Sequence, residues 1–98
     1  MDLEEFKTEI RDLIRNAKSR HAAEKLLLAC KPNSSIYRTI EVCLNRIETL
    51  DKEKMVYLAD REYMQGAVYE EYRVSRNKVT YALLKVLRDL SPDELASN

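Results

Sequence analysis

From Leu3 to Leu90 the apolar residues recur three and four positions apart, a spacing that lines one side of an α-helix and that a strand, with its period of two, cannot use. Leu3, Phe6, Ile10, Leu13, Ile14 and Ala17 open the series, and Ala22, Ala23, Leu26, Leu27, Ala29 and Cys30 continue it. Ile36, Ile40, Cys43, Leu44, Ile47 and Leu50 form a third stripe; Val79, Ala82, Leu83, Val86, Leu87 and Leu90 form another. Only one glycine and two prolines punctuate the 98 residues, which favours long helices joined by short connections. The pattern predicts an all-α fold, a compact bundle of five or six helices in one domain with a modest core. Leu13, Leu27, Ile40, Ile47, Val79 and Leu83 are expected inside it.

The boundaries follow from capping and turn chemistry. Asp2, with Glu5 three residues on, reads as a helix start, and acids early and bases late in that helix suit its dipole. A break is expected near Ser19, giving a helical hairpin over residues 1–31 that serves as a packing or dimerisation layer. The segment KPNSS closes it, because Pro32 disfavours helix in the residue before it and the polar residues after it supply turns and caps, with Ser35 capping the next helix. Asp51 is read as the cap of a further helix, after a tight junction at Leu50, that carries Met55, Val56, Leu58, Ala59 and Tyr63 and ends near Met64. Gly66 offers a reversal. The tail could begin one more turn at Ser91 and Pro92, and is expected to fray.

Charge is sorted along the chain although 17 bases balance 17 acids. Arg73, Arg76, Lys78, Lys85 and Arg88 fall between residues 73 and 88 without one acid among them. Ser75 stands just before this basic helix as a natural N-cap, and Gln65–Tyr72 just before that reads as a short helix containing Glu70 and Glu71. The stretch therefore predicts helix, turn, helix, with cations for phosphates and polar side chains for base edges. A solvated basic face is the competing reading.

The run VYEEYRVSRNKV resembles the helix-turn-helix of the sigma-70 region 4-like group, and within it the small phage late-gene transcription regulators of the ArpU and RinA kind. Their common pattern is an apolar residue followed by Ala-Glu-Glu-Leu-Gly-Ile-Ser-Arg-x-x-Val. Val68, Glu70, Glu71, Val74, Ser75, Arg76 and Val79 match it without a gap, and IETLDKEKMVYL resembles the helix that precedes the unit, so the likeness covers residues 36–90. Tyr69 replaces the usual alanine and Arg73 the usual turn glycine; an arginine there must strain or let the turn take another geometry. The resemblance implies a sequence-specific DNA-binding transcription regulator of phage or prophage origin. Arg76, Asn77, Thr80 and Tyr81 would face base edges; Lys78, Lys85 and Arg88, with Arg73 in the turn beside Ser75, would hold phosphates. One such unit buries too little for tight binding, so double-stranded DNA would be joined as partner by a second copy of the chain or by RNA polymerase.

Other chemistries find little support. Cys30 and Cys43 lie in apolar helical patterns without metal-ligand spacing, His21 has no carboxylate, thiol or second histidine beside it, and no nucleophile set or phosphate loop occurs. Neither an enzyme nor a cofactor or metal site is expected. No apolar run approaches the ~18 residues that span a bilayer and no signal peptide is seen, so a cytoplasmic protein without membrane contact is expected. Balanced charge and the displaced alanine and glycine favour one alternative, a helical protein-interaction module such as a phage-encoded inhibitor or adaptor of a host protein.

Overall fold

The computed structural model describes residues 2–59 and 66–96. Four helices follow in order, α1 (Leu3–Arg15), α2 (Ser19–Ala29), α3 (Ser35–Ala59) and α4 (Ala67–Asp89), with a 3-10 turn at Pro92–Glu94. Among the described residues the fold is all-helical and holds four α-helices, where the sequence suggested five or six. The expected end near Met64, and Tyr63 with it, lie outside the described residues.

Each end has a local cause. The Asp2 carboxylate accepts from the backbone N–H of Glu4 at 2.9 Å and of Glu5 at 3.4 Å, which starts α1 as its sequence suggested. That helix ends two residues before the expected stripe does, because Ala17 turns to φ 61 and lets Lys18 N–H reach the Leu13 carbonyl at 2.8 Å. This is the left-handed closure that usually employs glycine. Ser19 becomes the first residue of α2 and is buried, and the residue before it, Lys18, occupies the cap. Before α3 it is Ser34, not Ser35, whose hydroxyl accepts from a helical N–H, that of Tyr37, at 3.2 Å.

Two expected breaks are absent. Helix α3 runs through Leu50 and Asp51 without interruption, and α4 runs through Arg73, Val74 and Ser75. Neither junction holds glycine or proline, and both Asp51 and Ser75 can remain helical when the chain ahead of them is already helix. Arg73 resists the positive φ that a tight turn would require. It instead donates to Glu70 one turn back, at 2.9 Å. Gly66 does take a positive φ, 57, at the start of α4.

Helix α1 packs on α2 and α4, α2 on α3, and α3 on α4, closing a four-helix ring. Ile10, Leu26, Ile40, Ile47, Leu83 and Leu87 are fully enclosed. Val79 is buried too, whereas Leu13 and Leu27 pack only partly against the core. The apolar faces of α1 and α2 are thus used inside the bundle. Lys7 lays its stem over α4 and brings its ammonium to 3.5 Å from the Arg88 carbonyl, near a helix C-terminus where positive charge is favoured. Arg20 reaches Glu48 at 3.7 Å, and Lys25 pairs with Glu9, both across neighbouring helices.

The tail does not fray as far as it is described. Ser91 N–H donates to the Glu94 carboxylate at 3.1 Å, and Leu95 forms an antiparallel bridge with Cys30. Lys31 N–H donates to the Glu94 carbonyl at 2.8 Å and Ala96 N–H to the Ala29 carbonyl at 2.7 Å, so the chain end is stitched across the α2–α3 connection.

Burial is uneven along the long hairpin. Among the described side chains, none is buried beyond Leu50 on α3 or before Val79 on α4. The distal parts of the two helices expose Met55, Val56, Val68, Tyr69 and Val74.

Candidate nucleic-acid interface

Helix α4 turns Val79, Leu83, Val86, Leu87 and Leu90 into the core. Residues halfway round the helix from this stripe must face outward, and these are Asn77, Lys78, Tyr81, Lys85 and Arg88, all exposed. Tyr81 is at the centre, with 71 % of its surface free. Lys78 and Lys85 flank it three residues before and four after, so an amphipathic ring lies between two cations on one face. Arg88 lies one turn beyond, with its guanidinium 3.3 Å from the Asp89 carboxylate.

The other expected site residues lie elsewhere. Arg76 leans toward α3 and places its guanidinium 3.5 Å from Asp51, so it does not project from a helix end as the first residue of a recognition helix would. The cause is the missing turn: in a continuous helix, position 76 falls beside the buried stripe. Thr80 is likewise half-buried and does not share the Tyr81 face. Ser75 is a mid-helix residue, not a cap. Arg73 is exposed, but the Glu70 carboxylate accepts from its guanidinium and raises its pKa.

One residue that the sequence did not single out joins the surface. Arg46, on the exposed flank of α3, lines a shallow groove of about 210 Å³ together with Val42, Ser75, Lys78 and Ala82, over a floor of Cys43 and Val79. Its sequence signal was an arginine one position before the buried Ile47, too common a pattern to mark a site.

The two thiols belong to the core. Burial and the nearby Glu94 carboxylate push Cys30 up to about 11, and burial raises Cys43 as well, so both stay protonated near neutral pH. Among the described residues no group of three metal-ligating side chains occurs, and no helix is long and apolar enough to cross a membrane. The arrangement offers a cationic, aromatic helix face with an adjoining basic groove. No family model, curated protein or solved structure matches the chain.

Proposed function

We propose that the chain is a sequence-specific DNA-binding transcription regulator that lays the outward face of α4 in the major groove. The carrying observation is that Asn77, Lys78, Tyr81, Lys85 and Arg88 emerge together on one exposed face. A helix about 10–12 Å across fits a major groove of about 12 Å. Lys78, Lys85 and Arg88 then meet phosphates, while Asn77 and Tyr81 carry the hydrogen-bonding groups that reach base edges. The reading uses one continuous helix and does not depend on a turn at Arg73. The reading keeps the regulatory role that the resemblance of residues 36–90 implies, but not the turn on which that resemblance rests. A single helix face gives too little contact for tight specific binding, so a second copy or RNA polymerase completes the complex.

A second reading, a protein-interaction module acting on a host protein such as polymerase, is favoured by the exposed Met55, Val56, Val68, Tyr69 and Val74. Selection of bound fragments from a random duplex pool, followed by a salt titration of the selected site, separates the two. DNA recognition requires an enriched sequence and an affinity that falls steeply with salt. Failure to retain any duplex at low salt removes the DNA reading and favours the module.

A further inference from the structure

The groove beside α4 brings a cation from α3 and one from α4 together over a lining that holds no acid. Arg73, Arg76 and Arg88 each have a carboxylate within 4 Å. Among the described residues neither Arg46 nor Lys78 has an ion-pair partner. No carboxylate lines the groove they share. Ser75 adds a hydroxyl from α4. Thr8, Thr39 and Thr49 each return theirs to the carbonyl four residues back at 2.9, 3.3 and 3.1 Å, and no such bond ties Ser75 among the described residues. Ala82 keeps the floor low between the two helices. Two cations and a hydroxyl around an opening of about 210 Å³, with no acid among them, form an anion-binding arrangement at the edge of the Tyr81 face.

We propose that this groove holds one backbone phosphate of the duplex, with Arg46 as a positioning residue contributed by α3. The inference rests on the DNA-binding reading and deepens it. Cations on α4 alone leave the helix free to roll about its axis within the major groove. A phosphate gripped between Arg46 and Lys78 fixes that rotation, because the two side chains come from different helices that pack on one another, and so determines which side chains meet the bases. The guanidinium suits the task through its planar fork of donors.

The test compares wild type, Arg46→Ala, Arg46→Lys and Lys85→Ala for binding to a short mixed-sequence duplex across a salt series, with circular dichroism as the check on folding. Arg46 is exposed, so its replacement spares the core. Arg46→Ala should weaken binding roughly tenfold near ~0.1 M salt and lower the slope of log affinity against log salt by about one, alike for all sequences. Arg46→Lys should keep the slope. If wild type and Lys85→Ala differ in slope while Arg46→Ala matches wild type, the phosphate lies elsewhere and the α4 reading survives alone. Lost affinity at an unchanged slope also overturns the groove assignment. If wild type binds no duplex at low salt, both readings fall together.

Discussion

Arg76 shows how a single side chain changes role with its surroundings. At 28 % side-chain exposure, and facing an Asp51 that is 38 % exposed, it forms a pair still partly in water, where screening and side-chain entropy leave about 0–1 kcal/mol. Arg76→Ala should therefore lower the urea midpoint slightly and leave DNA preference unchanged, and a double-mutant cycle with Asp51→Ala should return a coupling below about 1 kcal/mol. A relaxed preference at one base position would instead put Arg76 in the groove. Residue identity alone could not distinguish these roles, because the direction of position 76 depends on whether the chain turns at Arg73. By contrast, the exposure of Asn77, Lys78, Tyr81, Lys85 and Arg88 follows from their spacing with or without that turn, although the sequence reading grouped Asn77 and Tyr81 with Arg76 and Thr80.

At the scale of the element, the informative case is the continuity of α4. Ser75 has the chemistry of a cap, but a cap acts only where the preceding residues leave the helix, and nothing from Val68 to Val74 compels them to do so. Arg73→Gly restores the glycine typical of helix-turn-helix units and tests the point. In a continuous helix it should cost up to about 1 kcal/mol and remove the bond to Glu70, whereas Ser75→Ala should be neutral or stabilising by a few tenths. Loss of about 1 kcal/mol on Ser75→Ala, with Arg73→Gly stabilising, would mean that the chain turns there. Helix α3 teaches the same lesson: the stripe ending at Leu50 was read correctly as core, yet the end of a buried stripe is not the end of a helix. Apolar spacing reports which side is covered and is silent on how far a helix runs beyond its cover.

For the whole molecule, burial of Cys30 and Cys43 links stability to pH. Folding raises Cys30 from 9.0 to about 11, so between those values the unfolded chain has lost a proton that the folded chain retains. Stability owed to this group is constant below about pH 9 and declines as pH climbs toward 11. The urea midpoint should accordingly fall between about pH 8.5 and 10.5, and fall less steeply in Cys30→Ala; equal slopes in the two proteins would contradict the assignment. The molecule measures 48 × 24 × 18 Å, longer than its four-helix ring requires, because the α3–α4 hairpin continues past its cover. Amide exchange translates that geometry into local free energy. Within α4, the amides around Val79 to Leu87 can open only with the core, while those before Ser75 are held mainly by the helix's own hydrogen bonds. One uninterrupted helix should therefore show two levels of amide protection, and equal protection before Ser75 and beyond Val79 would contradict this.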